Sequence, residues 1–333
     1  TIGMCWKQQC QDRSLPKLKS RSLSFATLDR LVQSFDDDSL FHILEQVRST
    51  TGQLKSPKKA AKTNKAARTS DGLLIAIDQW LTTQAPHAVS DARTLLACCE
   101  LLLLHAEKFP AETLGRLWRV TLSGAIAQAD AFTEAGDGAE WESLVGSGED
   151  DAADDRWLRA GLLPWVCGLL FDDVKGAPSV AKLGRSTLNA QFLQVTDAVG
   201  IPAASVIADL QTHLSQWCDA LLVAEIFEHS LWKTTTETRF GLLLKNVAAL
   251  VQNDGGFSGS EFDDVRAASL VLDAAELSGI ENRTPWLKCV ASVQKAISGR
   301  SRLKKSSGSK AAGSKAVGSK TAASGKTVKI REQ

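Results

Sequence analysis

The sequence of 333 residues contains no signature of nucleotide binding and no metal-ligand pattern. Neither a GxxxxGK(S/T) phosphate-binding loop nor a GxGxxG dinucleotide fingerprint occurs. The seven cysteines include no CxxC pair, and no cluster of cysteine and histidine has the spacing of metal ligands. These absences argue against the common nucleotide-dependent enzymes and zinc modules, and we expect no cofactor and no metal.

A secretory leader and a long apolar run are also missing. Residues 1–22 are polar and basic throughout, which is not typical of a signal peptide. The longest apolar run, residues 101–104 with its neighbours, is interrupted by Glu100 and His105 and is too short to span a bilayer. Most cysteines lie in apolar helical runs, which is typical of buried thiols in a reducing compartment. We therefore expect a cytoplasmic protein with no membrane partner.

The sequence also lacks the patterns of β-structure. No segment alternates convincingly with period two, and no Asn-Gly or Asp-Gly turn joins β-branched runs. Apolar residues recur instead at helical spacing, and caps and short loops separate about nine helices between residues 71 and 299. The predicted fold class is all-α, an array of antiparallel helical hairpins. An incomplete α/α toroid, an open solenoid and an irregular bundle are the forms that such an array can take.

Charge is distributed unevenly, although the formal net charge is only +1. Residues 1–70 carry 13 Lys and Arg against 6 Asp and Glu, and residues 71–299 carry 16 against 31. Residues 300–333 carry 10 against 1. We predict an N-terminal extension at 1–70, a helical body at 71–299 and a disordered tail at 300–333.

The two basic segments have few apolar side chains to bury. In the N-terminal extension, two short helices at 23–34 and 39–49 precede a basic linker at 50–70. The C-terminal tail repeats a five-residue unit of Gly, Ser, Lys and Ala, which favours disorder. Its positive charge can neutralise phosphates, but it has no aromatic side chain to stack on bases.

The tail therefore predicts weak binding of polyanions without sequence preference. Two other interpretations remain, namely that the basic ends only keep the protein soluble, or that they fold back on the acidic body. The predicted polyanion contacts are Lys304, Lys305, Lys310, Lys315, Lys320, Lys326 and Lys329.

The most informative stretch reads Gln-Asn-Asp-Gly-Gly-Phe and ends at Phe257. Gly255 and Gly256 allow positive φ where a helix stops, and Asp254 can bond the backbone of the turn. Phe257 can pack back under the hairpin, and acidic residues then favour the positive end of the next helix. The predicted structural turn comprises Gln252, Asp254, Gly255, Gly256, Phe257, Asp263 and Asp264.

This arrangement resembles the repeat of the α/α-toroid families, which include terpenoid cyclases, protein prenyltransferase β subunits and related polysaccharide lyases. In those families a Gln…Asp-Gly-Gly-Phe/Trp turn links an inner and an outer helix. The resemblance covers residues 235–279, and only this one turn is clear in the sequence. It implies a toroid-like arrangement of helical hairpins.

The catalytic groups of those families do not carry over to this chain. The acidic motif of the cyclases is matched only in part by residues 261–264, with Glu261 in the first place and Val265 where Thr is usual. The zinc trio of the prenyltransferases has no counterpart. The lyases commonly use a Tyr or a His, whereas this chain has no tyrosine and five scattered histidines. We predict no catalytic residue.

Two functions remain open from the sequence. The first is a non-catalytic, toroid-like scaffold or interaction module that binds an unknown protein partner. The second is a toroid-class module of carbohydrate-processing machinery, similar to a polysaccharide lyase or a terpenoid cyclase. A catalytic pocket would favour the second function, and the lack of tyrosine and of a metal set favours the first.

Overall fold

The computed structural model describes residues 2–12, 23–29, 40–53, 64–83, 91–134, 157–258, 266–280 and 284–311. The chain divides into two compact units, Thr1–Gln294 and Lys295–Gln333, and the described part of the second unit is helical. The described residues form eleven α-helices and no β-strand, with only two isolated β-bridges. The predicted all-α class is confirmed.

We number the helices in chain order. They are α1 (Ile2–Asp12), α2 (Leu40–Gln53), α3 (Asn64–Thr83), α4 (Ala92–Leu104), α5 (Ala111–Glu134), α6 (Leu163–Leu170), α7 (Ala177–Val195), α8 (Leu210–Ile226), α9 (Thr234–Ala248), α10 (Ala267–Leu277) and α11 (Pro285–Ala311). Short 3-10 turns occupy Ala26–Leu28, Ala106–Lys108 and Ala204–Val206, and a π-helical turn occupies Leu158–Leu162.

The core is centred on helices α4, α6, α8 and α10. Apolar residues surround α4 on all sides, which predicts a helix inside a larger assembly. All but one of the residues of α4 are buried, and α8 is buried almost as completely. Helix α4 packs against α2, α5 and α6, while α8 packs against α6 and α10. Helices α5, α7 and α9 pack on the outside of this row and keep one face exposed.

The described parts of the first 70 residues belong to the same compact unit as the body. Gly3 of α1 lies so close to α5 that a Cβ atom there would collide with the carbonyl of Ala111. Trp6 donates its indole N–H to the carbonyl of Leu102 at 3.1 Å. Phe25 and Leu44 are fully buried. Described residues on both sides of the predicted division at residue 71 therefore share one core.

Helices also extend into both segments that the sequence predicts to be unstructured. Helix α2 continues to Gln53 and α3 begins at Asn64, so both enter the predicted linker at 50–70. Helix α11 continues to Ala311, inside the predicted tail at 300–333. Lys, Arg and Ala have high helix propensity, which favours local helix at these ends although few apolar side chains are available for packing.

Buried carboxylates hold the first 3-10 turn against the central helices. Glu100 in α4 and Asp219 in α8 are both fully buried. The backbone N–H of Phe25 donates to Glu100 Oε2 at 2.9 Å. The N–H groups of Ala26 and Thr27 donate to the two oxygens of Asp219, at 2.6 and 2.8 Å. Buried carboxylates need such donors, since an unpaired charge in a protein core is strongly unfavourable.

Arg48 of α2 completes the charge pairing. Its Nε and Nη2 donate to the two oxygens of Glu100 at 2.7 and 2.6 Å, a bidentate geometry. Its Nη1 donates to Asp29 Oδ1 at 2.9 Å, and Nη2 also donates to the carbonyl of Phe25 at 3.0 Å. We call Asp29, Arg48, Glu100 and Asp219 the ionic clasp, because they join α2, α4, α8 and the first 3-10 turn.

The clasp keeps Glu100 ionised inside the core. Burial alone would raise its pKa, but the charge of Arg48 and the hydrogen bonds from His105 and Arg48 lower the pKa to about 2 from its ordinary value of 4.5. A pKa lowered on folding contributes stability above the unfolded value, and that stability is lost as the pH falls from about 4.5 towards 2.

We expect Arg48→Met to lower the free energy of unfolding by about 3–5 kcal/mol, because it leaves the buried charge of Glu100 without its partner. Arg116→Met is the matched control, since Arg116 pairs with Asp78 at 3.2 Å with both side chains more than a third exposed. That surface pair should contribute less than about 1 kcal/mol. Urea denaturation measures both values, and equal losses in the two variants would contradict a structural role for the clasp.

Candidate functional site

Most of the tryptophans lie in the core and do not line a cleft. The buried tryptophans, each at most 5% exposed, are Trp6, Trp80, Trp165, Trp217 and Trp232. Phe192, Trp217, Trp232 and Phe240 form an aromatic cluster, with ring centroids between 5.1 and 6.0 Å apart and mostly edge-to-face. This cluster fills the space between α7, α8 and α9, so these rings are not available to stack on a ligand.

His213 borders the aromatic cluster and has a structural role. Its ring stacks on Trp217 with the centroids 5.7 Å apart. The side-chain amide of Gln191 donates to His213 Nδ1 at 3.1 Å, which requires that nitrogen to be unprotonated. Burial lowers the pKa of His213 to about 4, against a smaller opposing effect of the Asp209 charge. The imidazole is therefore held neutral inside the core.

Cys98 and Cys99, two of the buried cysteines, are not activated nucleophiles. Burial raises the pKa of Cys98 to about 12 and holds the pKa of Cys99 well above its ordinary value. Cys99 Sγ lies 3.8 Å from Cys167 Sγ, so the two thiols contact each other within the core. A catalytic cysteine requires a lowered pKa and access to substrate, and Cys98 and Cys99 have neither.

A metal site and a ligand pocket are the two other kinds of functional site to consider in the part of the chain that the structure describes. There, no group of three or more His, Cys, Asp or Glu side chains could hold a metal ion. An open depression of about 490 Å³ follows one face of α3, and its one acid, Asp78, pairs with Arg116. The residues that line it are Leu74, Ile75, Asp78, Gln79, Thr82 and Thr83. Its walls come from a single helix, so it encloses no reaction centre.

Residues 252–257 form a tight turn, in which Gly255 but not Gly256 has positive φ. Gly255 has φ of 96°, and its N–H donates to the carbonyl of Gln252 at 3.0 Å. Asp254 Oδ1 accepts from the N–H of Gly256 at 2.9 Å, and Phe257 is 4% exposed. The turn joins α9 to α10.

The predicted polyanion contacts and the acidic residues after the turn lie mostly outside the described part of the chain. Lys304, Lys305 and Lys310 belong to α11. The remaining predicted residues lie outside the described part of the chain and keep their predicted roles as predictions; these are Asp263, Asp264, Lys315, Lys320, Lys326 and Lys329.

A second turn, between α7 and α8, repeats this backbone pattern 55 residues earlier in the chain. Its β-bridge joins Thr196 to Pro202, as the bridge of the later turn joins Val251 to Phe257. Three backbone hydrogen bonds, each from an N–H to a carbonyl, also occur at corresponding positions. In the first turn they run from Asp197 to Ile201, from Gly200 to Asp197 and from Ala203 to Val195. In the second turn they run from Gln252 to Gly256, from Gly255 to Gln252 and from Ser258 to Leu250.

Glycine at one position is the feature that the two turns share in sequence. Gly200 has φ of 75° and Gly255 has φ of 96°, which is the left-handed region that favours glycine. Only the later turn is recognisable in the sequence, because the earlier one has no Asp-Gly-Gly motif. The available signal was a glycine a few residues after the end of a helix, which is too common a pattern to identify a turn by itself.

The first turn presents large apolar side chains to solvent. Val199 is 57% exposed and Ile201 is 53% exposed. Leu242 of α9, which packs against Gly200, is 38% exposed, and Leu193 near the end of α7 is 46% exposed. We call these four residues the apolar ridge. Sequence reasoning missed the ridge, because the partners of the turn on α9 are distant in the chain.

The apolar ridge is held rigidly. Asp197 Oδ1 accepts from the N–H groups of Val199 and Ile201 at 3.0 and 2.7 Å. The side-chain amide of Asn246 donates to the carbonyl of Val199 at 3.1 Å. A Cβ atom at Gly200 would lie 2.5 Å from the backbone nitrogen of Leu243, so the turn is packed directly on α9. These contacts fix Val199 and Ile201 in an exposed position.

No protein family, curated protein or solved structure matches the chain. Over the described residues, no helix is both long enough and apolar enough to cross a membrane.

The two glycines with positive φ at 176 and 200 predict different costs of substitution. Gly176 has φ of 97° with open space around it, so Gly176→Ala should lower the free energy of unfolding by about 1 kcal/mol, for backbone strain alone. Gly200→Ala adds the collision with α9 and should cost about 3 kcal/mol or more. Thermal and urea unfolding compare the two variants, and similar losses would show that the turn is not packed tightly on α9.

The buried His213 predicts a loss of stability on mild acidification. Its folded pKa is about 4 and its ordinary value is 6.5, so the unfolded chain binds the proton more readily and stability rises with pH between these values. Going from pH 7 to pH 5 should remove about 2 kcal/mol. The His213→Phe variant keeps an aromatic ring against Trp217 but cannot titrate. Its unfolding free energy should change less over this pH range, and an unchanged pH dependence would refute the assignment.

Proposed function

We propose that this protein is a non-catalytic interaction scaffold, in which a rigid all-α array presents the apolar ridge to a partner protein. The observation that carries the proposal is the comparison of the two turns. At the positions of Val199 and Ile201, the later turn has Asp254 and Gly256 in the same backbone pattern. The turn therefore forms without apolar side chains at these two positions. A group of exposed apolar side chains on one surface is typical of an interaction site.

The rigidity of the ridge is a further argument for binding. Ordering a flexible loop at an interface costs free energy, whereas a turn that is already fixed avoids most of that cost. The hydrogen bonds of Asp197 and Asn246 fix the ridge before any partner arrives. The buried core of a protein interface is more apolar than its rim, so the ridge suits the centre of an interface.

A module of carbohydrate-processing machinery is supported less well. Glu100 and Asp219, the fully buried acids of the clasp, are engaged by backbone N–H groups, and Glu100 also by Arg48. The aromatic cluster and His213 are packed in the core. These groups face other parts of the chain and leave no space for a substrate.

The toroid-like arrangement of helical hairpins remains part of our proposal. It is supported by the two equivalent turns, since each links a half-exposed helix to a more deeply buried one. The first turn leads from α7 to α8, and the second leads from α9 to α10. Helices α8 and α10 also pack against each other, as neighbouring inner helices of such an array would.

A library of displayed 12-residue peptides, selected on the full chain, tests the ridge as a docking surface. The test variant is Val199→Asp with Ile201→Ser, which keeps a turn of the kind that already carries Asp254. The control variant is Met4→Ser with Ile126→Ser, which removes two exposed apolar side chains at 68% and 47% exposure on other helices. We expect selected peptides to lose about tenfold or more in affinity for the test variant and to bind the control variant normally.

Two results would refute this function. One is a selection that yields no peptide whose binding depends on Val199 and Ile201, with both variants melting at the wild-type temperature. The other is concentration-dependent self-association that the ridge variant abolishes, because the occupant of the ridge would then be a second copy of the chain.

We also propose that residues 300–333 bind polyanions weakly and without sequence preference. The support is their ten Lys and Arg against one acid. If about 5–8 phosphates of a DNA duplex are engaged, the logarithm of affinity should fall with that of salt concentration at a slope near −5 to −7. Replacing the predicted lysine contacts with Gln in the full chain should abolish binding measured by fluorescence anisotropy. A wild-type chain that shows no binding at roughly 20 mM salt, where screening is weak, would disprove it.

A further inference from the structure

Arg239 of α9 lies close to two residues of the apolar ridge, Leu193 and Leu242. It precedes Leu242 by three residues on α9, so the two side chains share one face of the helix. Its Nη2 contacts the carbonyl of Leu193 at 3.4 Å, and its Cζ lies 6.0 Å from the ring centre of Phe192. The guanidinium group is therefore placed between two of the four ridge residues, partly buried among apolar side chains.

The guanidinium of Arg239 has hydrogen-bonding capacity that the described residues do not use. A guanidinium has five N–H donors in a fixed planar fork. The contact to Leu193 is at the long limit of a hydrogen bond, and Nε is buried without a partner among the described residues. The acid of the neighbouring turn, Asp197, already accepts from two backbone N–H groups through Oδ1. Because Nε is enclosed by the chain, an acceptor from outside would reach the guanidinium through its Nη groups.

We infer that the segment which docks on the ridge carries a carboxylate beside its apolar side chains, and that Arg239 binds this carboxylate. The inference rests on the proposed docking function of the ridge. An arginine fork matches a carboxylate with two parallel hydrogen bonds, and apolar surroundings strengthen the pairing by excluding water. A phosphorylated segment fits less well, because phosphate recognition usually employs a cluster of arginines.

The experiment must distinguish binding of a carboxylate by Arg239 from a purely structural role of this residue. It lies at the carboxyl end of α7, where a positive charge interacts favourably with the last carbonyls of a helix. In that case Arg239→Gln would lower stability but would not change which peptides bind. Selectivity between acidic and neutral peptides is the readout that a structural role would leave unaltered.

The test uses peptides from the displayed library whose binding depends on Val199 and Ile201. Each is synthesised with its natural Asp and Glu residues and as a twin with Asn and Gln in their place. Affinities for the full chain are measured for wild type, Arg239→Gln and Arg239→Lys by fluorescence anisotropy, with thermal melts as the folding control. We expect the wild type to prefer the acidic peptide about tenfold over its twin, and Arg239→Gln to lose this preference while it binds the neutral twin as before.

Arg239→Lys should keep a smaller preference that disappears at high salt, because lysine supplies the charge without the planar fork. Equal binding of the acidic peptide and its twin by the wild type would overturn the inference and leave the docking function standing. So would an equal loss of both peptides in Arg239→Gln, because Arg239 would then act only on structure. A library without any ridge-dependent peptide would overturn the docking function and this inference together.

Discussion

The carboxylates of Glu100 and Asp219 are buried in two central helices, and the rest of the first compact unit is arranged around that constraint. A carboxylate can lie in a protein core only when donors satisfy it, and here the donors come from Arg48 and from the first 3-10 turn. Because Arg48 is in α2, the pairing fixes α2 and residues 23–29 against α4 and α8. The N-terminal part of the chain is thus required to complete the core.

The ionic clasp and the apolar ridge use side chains in opposite ways. The clasp buries its charged groups and pairs them with other parts of the chain, so these groups are not available to a ligand. The ridge turns Val199 and Ile201 outward on a turn that is already fixed by hydrogen bonds. Burial of two such side chains would be favourable, and leaving them in water costs part of the hydrophobic stabilisation that the fold otherwise gains. This contrast is the physical basis of our proposal that the protein is a binding scaffold.

Elements with a strong local signal were predicted well from the sequence. The helical fold class followed from apolar spacing, and the buried position of α4 followed from apolar residues on all sides of one helix. The turn at Gln252–Phe257 was recognised because Gly255 and Asp254 have definite backbone roles. Sparse apolar residues before residue 71 predict a separate extension, but such a local pattern does not tell which distant segments share a core. Phe25 and Leu28 show that a few residues suffice when polar groups anchor them.

By itself, the sequence determined that the chain folds into helices, where the strongest turn lies and which helix is buried on every side, because these properties depend on residues close to one another in the chain. Only the tertiary structure decided the partners of Glu100 and the exposure of Val199 and Ile201. Glu100 pairs with Arg48 52 residues away, and Val199 is held by Asn246 47 residues away. Such contacts depend on how helices pack, and no local pattern records which distant side chains packing will bring together.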